Sequence, residues 1–227
     1  MKISIIIPVL NESGTIAAAL TRLKEPGEAD PPEIIVSDGG SVDGTPEAAQ
    51  NLADKVIRVG KPGRARQMHE GALAAAGELL LFLHADTRLP GNWRKVLEEA
   101  WRGRPRPAAA AFRLRFDSDS WFYRIIARAA AWRSRMTGVP LGDQAIAVLR
   151  EDYFQVGGFP PVPLMEEYFL ITKLRRLGPV LILPEAAVTS SRRYEKNGRV
   201  FQVLRNAFIT VLFYAGVPPR MLAKIYQ

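Results

Sequence analysis

The sequence of 227 residues contains no cysteine and only two histidines. Without cysteine the chain has no disulfide bonds, no thiolate metal sites and no cysteine nucleophile, a composition compatible with a reducing cytoplasm. Long hydrophobic runs are also missing: the longest one near the C-terminus, residues 207–217, is too short to span a bilayer, so we expect no transmembrane helix. The N-terminal segment MKISIIIPVLNE lacks a small-residue cleavage site and predicts a strand rather than a signal peptide.

Negative charge is scarce relative to positive charge. Lys and Arg number 31 against 23 Asp and Glu, which gives a net charge of +8 and a pI near 10.0. Such a balance favours phosphorylated ligands, polyanions or an anionic membrane surface. Hydrophobic residues make up 48% of the chain, which is enough for a sizeable core and argues against disorder.

Strand-like and helix-like segments alternate through the first hundred residues. Apolar, largely β-branched segments predict strands at residues 3–10, 33–37, 55–59 and 79–83. Helices are predicted between them, with Ser13, Thr45 and Asn92 as expected N-caps. Repeated strand–helix units form a mostly parallel sheet with helices on both faces, so the expected fold class is α/β.

The segment ELLLFLHADT, residues 78–87, is the centre of this pattern. Its apolar run predicts a strand buried on both faces, which delivers Asp86 to the carboxyl edge of the sheet, where open α/β sheets bind ligands. A carboxylate there can hold a divalent cation or a ribose hydroxyl. The alternative is a strand-terminal Asp that caps the next turn. Asn11, Glu12 and Asp38 follow two other predicted strands, so a cluster of polar groups is expected on the same edge.

The second half of the chain has a different character. A strand is predicted at 112–116, a basic amphipathic helix at 121–136, and a helix that begins with Glu166 and Glu167. Short extended pieces at 181–184 and 188–191 precede an apolar helix at 200–215 and a final short helix. The basic helix and the apolar helix have two interpretations: core packing with arginines in solvent, or a peripheral membrane face.

Taken in order, the motifs resemble a known family. SIIIPVLNE, EIIVSDGGSVDGT and LLLFLHADT resemble the nucleotide-binding half of family 2 glycosyltransferases, which have the Rossmann-like GT-A fold. GDQAIAVLREDYFQVGGF and LMEEYFLITKLRRLG are similar to the acceptor-side segments of that family. The HAD triplet is shared with a bacterial subgroup of small "transferase 2" proteins associated with radical-SAM or selenium-domain proteins. The resemblance covers nearly the whole chain and implies a single domain, 1–227, with a nucleotide-binding half at 1–103 and an acceptor half with C-terminal helices at 104–227.

The resemblance also implies an activity and a set of site residues. The enzyme would be an inverting glycosyltransferase that uses a nucleotide-diphosphate sugar, with a UDP-sugar favoured. Asp86 corresponds to the last Asp of the DxD motif and would bind Mg²⁺ or Mn²⁺ as well as the nucleotide. The implied nucleotide-sugar site consists of Pro8, Val9, Asn11, Glu12, Asp38, Gly63, Arg64, Met68, Ala85 and Asp86.

The expected general base is one of two adjacent carboxylates. Glu167 stands where the family has its catalytic Asp, and its extra methylene leaves Glu166 as an alternative. Both carboxylates also suit the N-terminal dipole of a helix without any catalytic role.

Three further segments, with five residues of interest, depart from or only partly match the family pattern. His84 replaces the first Asp of DxD and is either a strand-end imidazole or a metal or phosphate contact. Arg192 and Arg193 lie in a faint echo of the QxxRW motif; they either contact the diphosphate or belong to a solvated loop. Asp143 and Gln144 face the acceptor or serve as turn residues.

Two other functions compete with glycosyl transfer. A nucleotidyltransferase would need a basic, glycine-rich loop after the first strand, whereas this chain has Asn11-Glu12-Ser13-Gly14 there. A non-enzymatic module that binds membrane or nucleic acid would use the arginines but would leave the acidic strand ends unexplained. The expected partners are a nucleotide-diphosphate sugar and an acceptor that is unknown or lipid-linked, with peripheral membrane contact and no nucleic acid. The expected location is the cytoplasm or the inner face of the membrane.

Overall fold

The computed structural model describes residues 1–24 and 30–226. Within them the strands are β1 Ile3–Val9, β2 Glu33–Asp38, β3 Lys55–Arg58, β4 Leu79–Phe82, β5 Thr87–Arg88, β6 Ala109–Phe116, β7 Ile146–Leu149 and β8 Val180–Thr189. The helices are α1 Ser13–Leu23, α2 Thr45–Ala49, α3 Arg64–Ala74, α4 Trp93–Arg102, α5 Trp121–Thr137, α6 Arg150–Gln155, α7 Glu166–Leu174, α8 Arg192–Asn197, α9 Arg199–Tyr214 and α10 Pro219–Tyr226. A 3₁₀ turn covers Gly142–Gln144.

One eight-stranded sheet runs through both halves of the chain in the order β3-β2-β1-β4-β7-β6-β8-β5. The first four of these strands are parallel to one another. β7 is antiparallel to both of its neighbours, β8 is parallel to β6, and β5 is antiparallel to β8. The α/β prediction is therefore confirmed, with a parallel N-terminal part and a mixed C-terminal part.

Strand β4 lies near the middle of the sheet and is buried on both faces, as its apolar run predicted. Leu79 and Leu81 pack in a core with Trp93 of α4, whereas Leu80 and Phe82 pack on the opposite face. Alternating side chains of a strand point to opposite faces, so β4 contributes to two hydrophobic layers at once. These layers fix the strand end that precedes Asp86.

The N-cap predictions need correction. Helix α1 begins at Ser13 with Glu12 at the N-cap, and α2 begins at Thr45 with Gly44 at the N-cap. The Thr45 hydroxyl instead accepts from the Glu12 amide, at 2.8 Å, and donates to Asp43. Asn92 does occupy the N-cap of α4, but its side chain makes no capping hydrogen bond.

The C-terminal region differs from the prediction in two places. The extended pieces predicted at 181–184 and 188–191 belong to one strand, β8. The strand is continuous because β6 pairs with it along its length, with a register shift between Ala111 and Arg113 of β6. Helix α8 was not predicted. The helices predicted at 200–215 and at the C-terminus are present as α9 and α10. Over the described ranges, we find no helix with the length and hydrophobicity needed to cross a bilayer.

Candidate active site

The ends of β1 and β2 are tied together by hydrogen bonds between their loops. The Asn11 amide donates to Ser41 Oγ at 2.8 Å, and the Val42 amide donates back to Asn11 Oδ1 at 3.0 Å. The Ser13 amide donates to Asp43 Oδ2 at 3.0 Å. These bonds form one continuous rim at the carboxyl edge of the parallel strands.

Asp38 and Val9 line the inner side of this rim and are buried, whereas Pro8 is half-buried and Asn11 is exposed. The Asp38 carboxylate accepts from the amides of Gly40 and Ser41 at 3.1–3.2 Å, so it shapes its own turn.

Gln67 reaches this rim from α3. Its side-chain amide donates to the carbonyls of Val9 and Ser37 at 2.7 and 2.9 Å. Gln67 thereby links the ends of β1 and β2. The sequence reasoning missed this residue because a single buried Gln has no local signal.

Asp86 follows β4 and is one of several charged groups that meet here. Burial raises the pKa of its carboxyl group; His84 and Arg193 oppose the rise, and Asp143 and Glu12 add to it. The rim and the second half of the chain therefore contribute charges to the same place.

A cleft of about 320 Å³ opens beside Asp86 and Ala85. Gly14, Thr15, Ser190 and Arg192 form its other walls. Arg192 Nη2 lies 3.2 Å from Glu12 Oε2, so the C-terminal segment contacts the loop after β1.

This segment is held at the edge by two contacts. The Ser190 amide donates to the Asp86 carbonyl at 3.1 Å. The hydroxyl groups of Thr87 and Thr189 lie 3.1 Å apart, where β5 pairs with β8. Because of this strand pairing, which no local sequence pattern predicts, Arg192 lines the cleft and the charge of Arg193 acts on Asp86.

The two predicted carboxylates form a buried ionic group with Arg64. Glu166 and Glu167 begin α7 and are only 1% and 2% exposed. Arg64 Nε donates to Glu166 Oε1 at 2.5 Å, and Arg64 Nη2 lies 3.2 Å from Glu167 Oε1. Arg64 begins α3 directly after Gly63, whose φ of 150° favours glycine.

The two carboxylates have different surroundings. Burial raises the pKa of Glu167; Arg64 opposes the rise and the charge of Glu166 adds to it. Glu166 Oε1 accepts a hydrogen bond from Arg64 Nε, whereas Glu166 Oε2 and Glu167 Oε1 accept none. Each of the two carboxylates therefore keeps one oxygen without a hydrogen-bond donor.

His84 links the two carboxylate clusters. Its Nδ1 lies 3.1 Å from Asp143 Oδ1, while its buried Nε2 has no hydrogen-bond partner. A Cβ added to Gly142 would lie 2.6 Å from both His84 Nε2 and Glu167 Oε1, so only glycine fits between them. Burial raises the pKa of Asp143, but the hydrogen bond and charge of His84, with Arg64 and Arg193, lower it to about 2.

Backbone strain is concentrated at this edge. Among the described residues, Asn11, Ala145 and Met165 are the non-glycine residues with positive φ, at 54°, 49° and 64°. Asn11 belongs to the rim, Ala145 follows the 3₁₀ turn, and Met165 precedes Glu166. Such conformations are costly and cluster at functional sites.

Met68 and Gln144, two of the predicted site residues, are buried among other parts of the protein. Met68 is 1% exposed and packs in the core with Phe82 and Tyr153. Gln144 is also 1% exposed: its amide oxygen accepts from Ser134 and Leu141, and its amide nitrogen donates to the Phe112 carbonyl. Gln144 therefore supports the turn rather than facing an acceptor, while neighbouring Asp143 is about half exposed.

The edge has the donor chemistry of a divalent cation site but not a complete set of ligands. Within residues 1–24 and 30–226, no three His, Asp or Glu side chains are close enough together to hold a metal ion. Asp86 supplies a carboxylate, and His84 Nε2 is an unpartnered buried nitrogen. Mg²⁺ keeps several waters and combines one or two carboxylates with phosphate oxygens of a substrate, and such sparse ligation fits this edge.

The carboxyl edge of this Rossmann-like sheet thus gathers buried carboxylates and arginines. The family model described as "Glycosyl transferase family 2" matches residues 4–158, well over half of the chain. The chain belongs to this family and is a glycosyltransferase, as its motifs predicted. The matched span includes Asp86 and Asp143 and ends before Glu166.

Solved structures of glycosyltransferases share this fold. Glucosyl-3-phosphoglycerate synthase from Mycobacterium tuberculosis, in complex with Mn²⁺, UDP and glucosyl-3-phosphoglycerate, is 21% identical, with a TM-score of 0.65 over 96% of this chain and 81% of that chain. The same synthase with Mn²⁺, UDP-glucose and phosphoglyceric acid is 22% identical, with a TM-score of 0.66 over 96% of this chain and 80% of that chain.

A mannosyltransferase from Pyrobaculum calidifontis, in complex with GDP-mannose and Mn²⁺, is also similar. It is 22% identical, with a TM-score of 0.70 over 99% of this chain and 67% of that chain. Identities this low support a common fold. No protein with a curated description matches the sequence.

Proposed function

We propose that this glycosyltransferase moves a sugar from a nucleotide-diphosphate donor, preferably a UDP-sugar, to an acceptor hydroxyl with inversion at the anomeric carbon. The observation that carries the proposal is the convergence of two carboxylate clusters on one edge of the sheet. Asp86 ends the strand side, and Glu166 and Glu167 begin α7. His84 connects them, because it lies two residues before Asp86 and its Nε2 faces Glu167 across Gly142.

Glu167 is the proposed general base. Its raised pKa supports this role, because a carboxylate that holds a proton more readily is a better acceptor for the proton of an alcohol. Glu166 is the proposed positioning residue: its hydrogen bond from Arg64 keeps the guanidinium beside Glu167.

The proposed step balances as a single displacement. The acceptor oxygen forms a bond to the anomeric carbon as its proton passes to the Glu167 carboxylate. The bond from that carbon to the diphosphate oxygen breaks on the opposite face, and its electron pair leaves with the nucleoside diphosphate. Attack and departure on opposite faces invert the anomeric configuration.

Asp86 is the proposed protein ligand for Mg²⁺ or Mn²⁺, supported by the complexes of the similar structures with Mn²⁺. When bound, the ion offsets the negative charge that develops on the departing diphosphate. Arg192 and Arg193 are proposed to contact the same diphosphate. Arg192 lines the cleft with Asp86, and the charge of Arg193 acts on Asp86.

The rim residues are proposed to bind the nucleoside. Pro8, Val9, Asn11, Glu12 and Asp38 would surround the base and ribose, with Gly63 and Arg64 at the start of α3 on the other side. The preference for UDP is supported by the family resemblance and by the synthase structures with UDP or UDP-glucose, while the mannosyltransferase with GDP-mannose makes GDP the competitor to test.

The acceptor is proposed to be lipid-linked. Helix α7, which carries Glu167, packs through Tyr168 on Phe213 of α9, with ring centroids 4.8 Å apart. Phe208 and Val211 of α9 are exposed near this contact. The polar end of a lipid-linked acceptor would then meet Glu167 while its lipid lies against apolar side chains. On this proposal the enzyme acts in the cytoplasm, at the inner face of the membrane.

Calorimetric titration of UDP, GDP, CDP and dTDP with Mn²⁺, and then with EDTA, tests the donor site. We expect UDP to bind the wild type, to need Mn²⁺ and to lose at least tenfold in affinity in Asp86→Ala. Lys95→Ala, at an exposed position on α4, is the control and should bind as the wild type does. Metal-independent binding, or full affinity in Asp86→Ala, would contradict the role of Asp86.

A further inference from the structure

Helices α5, α9 and α10 expose large apolar side chains that a folded protein ordinarily buries. On α5 these are Trp121, Ile125, Trp132 and Met136; on α9 they include Phe201, Leu204, Phe208 and Val211; on α10 they are Met221 and Ile225. Their exposed fractions range from 48% to 69%. Apolar patches of this kind on a soluble protein mark interaction sites.

The exposed residues of α5 share one face of the helix. Tyr123 and Ser134 are buried, and their spacing of eleven residues is three helical turns. Trp121, Ile125 and Trp132 fall on the side opposite to these two. On α9, Gln202 and Ile209 are buried and the exposed apolar residues point away from them. The apolar faces are therefore surface faces and not parts of the core.

The three helices belong to the same region of the molecule. Arg199, at the start of α9, lies 5.5 Å from the ring centroid of Tyr123 near the start of α5. Arg133, near the end of α5, interacts electrostatically with Tyr214 at the end of α9. α10 packs on α9, where Arg205 lies 4.6 Å from the ring centroid of Tyr226.

The charge of these helices has one sign. They carry eight Arg or Lys residues, four on α5 and two each on α9 and α10, and their sequences contain no Asp or Glu. Arg124, Arg128 and Arg135 form an exposed column beside the apolar face of α5. An amphipathic helix with arginines beside aromatic and aliphatic residues is the pattern of helices that lie in the interface of an anionic bilayer.

We infer that α5, α9 and α10 form a membrane-docking surface that lies in the plane of an anionic lipid bilayer, with the apolar side chains among the acyl chains and the arginines on the headgroups. A second copy of this chain fits worse, because two surfaces with positive charge alone would repel each other. Nucleic acid fits worse, because the exposed aliphatic residues would have no partner in it. The inference rests on the proposed function only for the orientation of the active site.

Docking in this orientation would place the acceptor side of the site next to the lipid. Tyr168 and Phe169 of α7 both contact Phe213 of α9, with ring centroids 4.8 and 5.8 Å apart. Glu167 is the residue before Tyr168. A lipid-linked acceptor could then reach the proposed base without leaving the bilayer.

Flotation of the full chain with vesicles tests the inference. We expect binding to vesicles of phosphatidylcholine with 30% phosphatidylglycerol, weak binding to phosphatidylcholine alone, and a loss of binding as salt increases. The paired substitution Arg124→Ser with Arg128→Ser should weaken binding about 25-fold, at about fivefold for each charge near the surface. Trp121→Ser with Trp132→Ser should weaken it at least tenfold.

Matched controls are available on other surfaces. Lys95→Ser with Arg102→Ser removes two exposed charges from α4, and Leu73→Ser removes an exposed apolar side chain from α3. These variants should bind vesicles as the wild type does. Equal losses in control and test variants would overturn the inference, since the effect would then come from net charge or general hydrophobicity.

Other outcomes separate this inference from the proposed function. Absence of vesicle binding in a protein that still binds UDP by calorimetry would overturn the docking surface and leave the glycosyltransferase site intact. Vesicle binding by a protein that binds no nucleotide would overturn the proposed donor site and leave the docking surface intact. If Trp121→Ser with Trp132→Ser instead converts a dimer into a monomer, or if RNA binds more tightly than vesicles do, the surface belongs to another partner and the inference fails.

Discussion

Replacement of Glu167 by Gln preserves the shape of the side chain and removes its ability to accept a proton. A general base typically contributes about 10²- to 10⁴-fold to a rate, which corresponds to about 3–5 kcal/mol in activation free energy. We therefore expect Glu167→Gln to lower kcat by at least 100-fold. UDP affinity should stay within about threefold of the wild type, because Glu167 lies on the acceptor side.

The pH profile sharpens this prediction. Only the deprotonated carboxylate can act as a base, so kcat of the wild type should rise with pH through the raised pKa of Glu167 and then level off. Glu166→Gln is the matched control. The charge of Glu166 raises the pKa of Glu167. Glu166→Gln removes that charge, so the rise of kcat with pH (the acidic limb of the profile) should move to lower pH. On the plateau, kcat of this variant should stay within about tenfold of the wild type.

The assay is the release of UDP from a UDP-sugar in the presence of Mn²⁺, with water in place of the acceptor, at saturating donor from pH 5 to pH 9. Glu167→Gln should lose the acidic limb together with the rate. If this variant keeps kcat within threefold and retains the limb, Glu167 is not the base. If Glu166→Gln loses both features instead, the roles of the two carboxylates are exchanged.

Substitutions at three further positions, with one control, test the packing around the site. Gly142→Ala should lower kcat by about 100-fold, since its Cβ would displace His84 or Glu167, whereas Gly91→Ala, with open space around it, should have no effect in the same UDP-release assay. Arg64→Met leaves two buried carboxylates without their cation, so we expect a loss of up to about 3 kcal/mol in the free energy of unfolding at neutral pH, measured in urea. Because Arg64 lowers the pKa of Glu167, the acidic limb of the pH profile should also move to higher pH. Met68→Ala should cost about 2–5 kcal/mol in urea and Met68→Leu less than about 1.5 kcal/mol, both with unchanged UDP affinity, because the side chain is buried in the core. A weaker affinity for UDP in Met68→Leu would place this residue at the nucleotide after all.

The strands of the parallel half were predictable because their signal is local. β1, β2 and β4 are short apolar runs bounded by turn residues, and the structure gives nearly the bounds that the sequence predicted. β8 was divided in the prediction because Pro184 and Glu185 interrupt its apolar pattern. The strand continues through them because β6 supplies a partner on both sides of the interruption. The two residues of β5 have no pattern of their own and form a strand only by pairing with β8.

The candidate site shows the same division. The family resemblance and the position of carboxylates at strand and helix ends singled out Asp86 and Glu167; Asp86 follows β4 as expected, and Glu167 lies in the first turn of α7. The pairing of Arg64 with Glu166 joins residues 102 positions apart and has no signature in either segment. The steric need for Gly142 was equally hidden, since a glycine in a turn looks the same whether or not two side chains close on it.

The pairing of β8 has a consequence for how the chain can be divided and synthesised. β8 covers the outer edge of β6 and carries β5, so the edge beside Asp86 is complete only when residue 189 has been made. A fragment that ends before residue 180 would leave the backbone donors and acceptors of β6 open to other chains. We expect such a fragment to aggregate during expression rather than to behave as a small nucleotide-binding domain. A fragment of residues 1–179 would therefore lack the strand that keeps the edge of β6 covered.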